Sequence, residues 1–267
     1  MVMKRRPLIS GAAALGLAAA VSLAGAVQAA EVHVVSSGGF AAAYRALAPE
    51  FERETGNTLV IGWGPSMGQT VDAVPARLAR NEPVDVLIMV GYALGQLVDQ
   101  GKVSAASRVD LAQSGIGVVV RAGAPRPNIG SVDALRRTLL AAKSIAYSDS
   151  ASGVYIQNEM FKRLGIAEQM AGKARMIPAE PVGAVVARGD AEIGFQQISE
   201  LRPIKGIDLV GPLPPEVQQV TVFSAGILSN SREPEAAGAL IRFLASPVAA
   251  GAIAESGMEP LGAAARR

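Results

Sequence analysis

The chain has 267 residues, half of them hydrophobic, 18% charged and only 4% aromatic. That composition excludes a disordered chain and supplies enough apolar side chain for one large domain or two small ones. The lack of cysteine removes disulfides, thiolate catalysis and thiolate metal sites together.

The formal net charge is +2, and part of it sits at the N-terminus. Lys4, Arg5 and Arg6 precede an apolar run from Leu8 to Val27, and Val27-Gln28-Ala29 offers small residues where a signal peptidase cuts. The expectation is a cleaved leader, residues 1–29. Its loss takes away three of the 25 basic residues and leaves 22 against 23 acidic ones. A membrane anchor is the competing reading of the same run, since its length would span a bilayer. The Ala- and Gly-rich composition and the cleavage pattern favour the leader. Arg5-Arg6 also fits a twin-arginine export signal. No cysteine stands at the leader junction to carry a lipid. The mature chain is therefore expected as a monomer, free in a periplasm, with no membrane anchor after cleavage. No basic stripe remains to bind nucleic acid.

The elements alternate. Val32–Val35 reads as a strand, and Phe40 to Glu54 as a helix, with Phe40, Tyr44, Leu47 and Phe51 at helical spacing. Gly56-Asn57 turns the chain into a strand over Thr58–Ile61. Trp63-Gly64-Pro65-Ser66-Met67-Gly68 then leads into a helix through Arg80, a strand over Asp85–Met89 and a helix over Tyr92–Gln100. A second set follows: strands at Ile116–Arg121 and Ser144–Tyr147, with a helix capped by Ser131 between them. Ser148 to Gly153 opens a helix to Leu164. Arg175–Ile177, Glu192–Gln196, Ile207–Val210 and Val220–Ile227 read as strands, Glu180–Arg188, Glu233–Ala245 and Pro247–Ser256 as helices. This rhythm predicts an α/β protein with mostly parallel sheets flanked by helices. Gly211-Pro212-Leu213-Pro214-Pro215 reads as one crossing segment and Ser114–Val119 as the other. Residues 30–114 plus 222–267 then form lobe 1, and residues 115–221 form lobe 2.

Three loops follow strands and share one design: Ser36-Ser37-Gly38-Gly39, Ser66-Met67-Gly68, and Ser148 through Gly153 with Ser150 and Ser152. Each is read as opening a helix. A helix N-terminus presents unpaired N–H groups and a partial positive charge, glycine admits a ligand to the backbone, and serine adds a hydroxyl. Any one such loop is explained by capping alone; three of them, one in the second lobe, point to an anion site. His33, the only histidine, reads as a structural strand residue, and no zinc or other metal site is expected. Trp63 is either a core anchor or a cleft wall. No nucleophile elbow, Walker loop or dinucleotide fingerprint stands in its required context, and no cofactor is expected.

Most of the mature chain resembles the periplasmic molybdate-binding type of solute-binding protein, a type II periplasmic binding protein. The likeness rests on the first Ser-rich loop, Leu47-Ala48-Pro49-Glu50-Phe51-Glu52-Arg53-Glu54-Thr55-Gly56, and Trp63-Gly64-Pro65-Ser66. It continues in Arg77 to Val86, Val185 to Gly194, and Leu244-Ala245-Ser246-Pro247. The resemblance implies two α/β lobes, a hinge, and an oxyanion held by hydroxyls and backbone N–H groups. The pocket departs from that family. Its ligand-binding serine falls nearest Gly39, Val90-Gly91-Tyr92 replaces a Ser/Ala-Asp pair, and Gln196-Gln197 stands where a tyrosine closes on the anion. These departures suit a larger or flatter anion, read partly by amides.

Trp63 to Gly68 and Ser148 to Tyr155 also resemble the aconitate isomerase branch of this superfamily, in which such a fold moves a proton along an allylic tricarboxylate. That reaction needs an acid/base near a methylene carbon. Asp149, Tyr92, Tyr147 and Tyr155 are candidates, with Asp149 and Tyr155 placed first; capping of the helix N-terminus is the bland reading of Asp149. The expected ligand-binding set is Ser36, Ser37, Gly38, Gly39, Ser66, Met67, Gly68, Tyr92, Ser148, Ser150, Ser152, Gly153, Gln196 and Gln197. The first reading is a binding protein that hands a small oxyanion or carboxylate to an ABC permease. The second is a periplasmic aconitate isomerase on the same fold. The third is a ligand-sensing module docked on a membrane receptor.

Overall fold

The computed structural model describes residues 29–262. The expected leader and its basic N-terminal segment lie outside the described residues.

Two sheets organise the chain. In the first, β1 (Glu31–Ser36) runs parallel to β2 (Thr58–Trp63) on one side and to β3 (Val86–Val90) on the other. Between β1 and β2 lies α1 (Ala41–Thr55), whose Tyr44, Leu47 and Phe51 are buried on one face. Gly56 ends it at φ 75°, with its N–H donating to Glu52 O at 2.9 Å, a left-handed turn that suits glycine. A short α2 (Val74–Ala79) precedes β3, and α3 (Gly91–Asp99) follows it. β4 (Val109–Ser114) and β10 (Thr221–Ile227) join the sheet antiparallel, with the short β11 (Glu259–Pro260) at the edge, in the order β11-β4-β10-β3-β1-β2. The C-terminal helices α10 (Pro234–Leu244) and α11 (Ala250–Glu255) complete this lobe, with Leu240, Ile241, Leu244 and Ile253 buried.

The second sheet has the order β7-β6-β8-β5-β9. It is formed by β5 (Ile116–Arg121), β6 (Ile145–Ser148), β7 (Ala174–Ile177), β8 (Ile193–Gln197) and β9 (Ile207–Pro212). β6 runs parallel to β7 and β8, while β5 runs antiparallel to β8 and β9. On its faces lie α4 (Val132–Ala141), the continuous segment α5 (Ala151–Tyr155), a π-helical turn (Ile156–Met160) and α6 (Phe161–Arg163), then α7 (Ala167–Met170), α8 (Val182–Ala187) and α9 (Ile198–Leu201). Ser131 caps α4, its Oγ accepting from Ala134 N at 3.2 Å. Two apolar clusters cover the two faces of this sheet, and a third forms the core of the first lobe.

The architecture is the two-lobed α/β fold of periplasmic binding proteins. Each sheet keeps a parallel core of three strands and gains antiparallel strands where the chain crosses between lobes. The outward crossing passes from β4 to β5 through Gly115; the return runs through residues 213–220 into β10. Two glutamines fasten these segments. Gln218 accepts from Ile116 N at 2.8 Å and donates to Ile116 O at 3.0 Å. Gln197 bridges them from the end of β8. In the amide orientation that satisfies every partner, it donates to Ser114 O at 2.9 Å and accepts from the Thr221 hydroxyl at 2.8 Å.

One stretch differs from expectation. Ser66-Met67-Gly68 opens no helix; bends and turns run to Ala73 before α2 begins. Gly68 sits at φ 96°, and the Asp72 carbonyl lies against the backbone of Gly64 in space a side chain would fill. Arg77 fixes the fold-back, donating from Nε to Asp72 O at 3.0 Å and from Nη2 to Trp63 O at 3.0 Å. These tertiary bonds outweigh the local preference for helix.

Candidate functional site

A cleft of about 410 Å³ opens between the lobes at the carboxyl ends of β1, β2, β6 and β8. Open α/β sheets place ligands at that end of their strands. The first lobe contributes Ser37, Gly38, Gly39, the Trp63–Ser66 turn, Thr70, Asp72, Val90 and Phe223. The second contributes Ser148 to Ala151, the Ala179–Pro181 turn, Gln196, Gln197 and Glu200.

The three Ser/Gly loops present hydroxyls in three different states. Ser37 Oγ is buried and has no hydrogen-bond partner. A buried hydroxyl without a partner is costly, and a bound oxygen would relieve it. Ser66 Oγ accepts from Val90 N at 2.9 Å, which fixes the oxygen and leaves its proton free to donate into the cleft. Ser148 Oγ lies 2.8 Å from Ser150 Oγ and 3.0 Å from Ser152 Oγ, a small hydroxyl chain at the start of α5. Gly153 is pinned there, because any side chain would collide with the Ser148 carbonyl.

Gly39 is packed against the Phe223 ring, which occupies the place of a Cβ. Gly38 is approached just as closely by the Glu200 carboxylate reaching across from α9. Trp63 forms one wall. Its ring takes the Tyr44 ring edge-on at 5.8 Å and the Arg45 guanidinium at 4.5 Å. Ala179 on the opposite rim adopts φ 59°, a strained value for a residue with a Cβ.

The lining carries four carboxyls and no lysine or arginine. Two of the four are tied up. Asp72 pairs with Arg77 at 3.0 Å, and Glu180 is held by both terminal nitrogens of Arg188 at 2.7 and 2.8 Å. The hydrogen bonds from Arg188 keep the Glu180 carboxyl below its ordinary range. Asp149 and Glu200 form no ion pair among the described residues. Burial pushes Glu200 up to about 7; the neighbouring Gln196 amide works in the opposite direction, and the negative charge of Asp149 adds to the rise. Glu200 is thereby biased toward its protonated form relative to the other carboxyls of the cleft.

The sequence-predicted residues divide by position. Ser37, Gly38, Gly39, Ser66, Ser148, Asp149, Ser150, Gln196 and Gln197 line the cleft together. Ser36 lies just beneath, fully buried, donating to Ser37 O at 3.2 Å. Met67 and Gly68 are in the turn behind Ser66, outside the lining. Tyr92 is 55% exposed, its hydroxyl 3.1 Å from Met67 Sδ. Ser152 and Gly153 sit inside α5 and support the loop. Tyr155 is placed in the core, its hydroxyl donating to Val217 O at 2.8 Å, and Tyr147 donates to Gln157 Oε1 at 3.2 Å. Of the two glutamines, Gln196 accepts from Val182 N at 2.9 Å with its oxygen and turns its amide nitrogen toward Glu200. The sequence reading passed over Glu200 because α9 has four residues, too few for any periodicity to mark. The available signal was its place, an acid three residues past the Gln196-Gln197 pair at a strand end.

Residues 32–259 match the family described as bacterial extracellular solute-binding protein. The chain is 54% identical to the aconitate isomerase of a Pseudomonas species over 228 residues, 85% of this chain and 87% of that one. It is 26% identical to the molybdate-binding protein ModA of Azotobacter vinelandii over 238 residues, 85% of this chain and 89% of that one. A solved structure of an Azotobacter vinelandii periplasmic molybdate-binding protein superposes with a TM-score of 0.67 at 21% identity, covering 85% of this chain and 98% of that one. Fold, cleft and sequence agree: the chain belongs to the family of bacterial extracellular solute-binding proteins.

Proposed function

We propose that this chain is a periplasmic isomerase that interconverts cis- and trans-aconitate by allylic proton transfer. The observation that carries this reading is the 54% identity to an aconitate isomerase, spread over 85% of the chain. It reverses the order suggested by the sequence alone, which put delivery to a permease first.

The cleft supports the same choice. Its volume of about 410 Å³ falls in the range of small organic ligands and exceeds the need of one tetrahedral oxyanion. Its donors are spread over both lobes, on Ser37, Ser66, the Ser148–Ser150 loop and the Gln196 amide, as three separate carboxylates require. Backbone N–H groups and hydroxyls meet the negative charge in place of lysine or arginine. The reaction moves one proton and one double bond. The C–H bond of the methylene carbon breaks, a C–H bond forms at the former vinyl carbon, and no electron acceptor is required. A carboxyl in the cleft is the group suited to carry that proton. Cleavage of the leader after Ala29 would release the chain into the periplasm.

The test is direct. Purified mature protein, residues 30–267, is incubated with cis- or trans-aconitate and the mixture followed by chromatography. Both isomers are expected to approach one equilibrium ratio without added cofactor. The second reading, delivery of an anion to an ABC permease, is favoured by the 26% identity to a molybdate-binding protein. A thermal-shift panel of molybdate, sulfate, citrate and the two aconitates separates the two, because a ligand of the native state raises its melting temperature. Stabilisation by molybdate with no conversion of aconitate would refute the isomerase.

A further inference from the structure

We propose that Glu200 is the catalytic acid/base of this isomerisation, taking the proton from the methylene carbon and returning it to the far end of the same three-carbon allylic unit. The proposal rests on the isomerase reading above.

Glu200 sits in the first turn of α9 in the second lobe, and its carboxylate reaches across the cleft to the Gly38 backbone of the first. A side chain at residue 38 would occupy the place of that carboxylate. A group so placed meets any ligand held by the loops of both lobes. Among the described residues, Glu200 also has no cation beside it. Asp72 and Glu180 spend their charges on Arg77 and Arg188, whereas no ion pair engages Glu200 among the described residues. The Gln196 amide, whose oxygen accepts from Val182 N at 2.9 Å, is the neutral group set beside its carboxyl, and no positive charge neutralises it among the described residues. The two carboxyls without ion pairs also differ in their surroundings. Asp149 lies in the Ser148–Ser150 loop at the mouth of α5, among groups that orient an anion. Its negative charge favours the protonated form of Glu200. Two neighbouring carboxyls in such different surroundings can take separate roles.

The chemistry balances within the substrate and one side chain. The ionised carboxylate removes a proton from the methylene carbon, and the electron pair delocalises through the double bond into the carboxylate at the other end. The protonated Glu200 then delivers the proton to that distal carbon. The double bond has moved by one position, its geometry is reset, and Glu200 is again ionised. Because both ends of the unit carry a carboxylate, forward and reverse steps are chemically alike, and one group suffices for both.

The experiment compares wild type with Glu200→Gln, Glu200→Asp and Asp149→Asn in the full mature chain. Turnover of cis- and trans-aconitate is measured beside the affinity for propane-1,2,3-tricarboxylate, a saturated analogue with no allylic proton, and beside the melting temperature. E200Q is expected to lose at least about 100-fold in kcat, the usual contribution of a positioned acid/base, while binding the analogue as tightly as wild type. E200D is expected to retain measurable turnover, since it keeps a carboxyl in the cleft. Turnover by E200Q within about tenfold of wild type would overturn the assignment, as would loss of analogue binding together with turnover, which would mark a binding or folding role. Wild-type protein that binds the analogue but converts neither aconitate would sink the isomerase reading itself, and Glu200 with it.

Discussion

Replacing Glu200 by glutamine should stabilise the protein at alkaline pH and leave it nearly unchanged at acid pH. Burial raises the folded carboxyl from its ordinary 4.5 to about 7. In the unfolded chain the group ionises near 4.5, so between these values the native state binds more protons than the unfolded state. Stability from this group is therefore fully present below pH 4.5, falls as pH rises, and levels off above about 7. At about 1.4 kcal/mol per pH unit the ceiling is about 3 kcal/mol; solvent in the open cleft lowers the expectation to about 1–2 kcal/mol. Glutamine keeps the shape and removes the ionisation. Urea unfolding of wild type and E200Q at pH 4 and pH 8 measures the difference at each pH. A gain for E200Q at pH 8 that vanishes at pH 4 is expected. The same difference at both values would show that Glu200 ionises freely in the native cleft, and the argument from its burial would fail.

Ser37→Ala removes a hydroxyl that has no partner; stability should be unchanged or slightly higher by calorimetry, while affinity for propane-1,2,3-tricarboxylate falls by about tenfold, the worth of one hydrogen bond. Gln218→Ala strips both bonds from the Ile116 backbone at the crossing and should destabilise the chain by about 1–3 kcal/mol in denaturant melts; an unchanged midpoint would show that water replaces them without loss. Burial pushes the Asp85 carboxyl up, but hydrogen bonds from the Ser231 hydroxyl and from His33 N, Arg232 N and Glu233 N outweigh it and leave the value lowered. Its contribution is thus present above the ordinary value of 3.8 and lost as pH falls below it. Asp85→Asn should flatten the acid limb of the wild-type stability profile, and an acid limb of unchanged steepness would refute that account.

Much of the fold was legible because its signals are local. The 3.6-residue spacing of Tyr44, Leu47 and Phe51, and the unbroken apolar runs of β3 and β5, give helix and buried strand directly. β4 was passed over because its Val-Asp-Leu-Ala-Gln-Ser sequence is half polar; it is held in the sheet by pairing with β10, more than 100 residues away. The second Ser/Gly loop looked like a helix start, and only the contact of Arg77 with Trp63 O and Asp72 O makes it a fold-back. The same division runs through the site. Hydroxyl-rich loops announce themselves by composition, so most of the expected binding residues meet in one cleft. Tyr155 was attractive as a phenol near the third loop, but its direction depends on a partner at Val217, which spacing cannot reveal. Glu200 is the converse case. Its importance comes from lobe-to-lobe proximity and from the missing Cβ of Gly38, both products of tertiary structure.

Trp63 is the only tryptophan in the chain, and it walls the cleft. The protein therefore carries its own optical reporter. Any ligand that fills the space beside the indole, or any approach of the lobes that sheds water from it, must alter a single, unmixed fluorescence signal. With Arg45 stacked at 4.5 Å on the ring, that signal is also sensitive to charge arriving nearby. Rapid mixing could thus time the entry of a ligand on unlabelled protein, while any conversion of that ligand is followed separately by chromatography. Occupancy and chemistry become two clocks that can be read independently in one molecule.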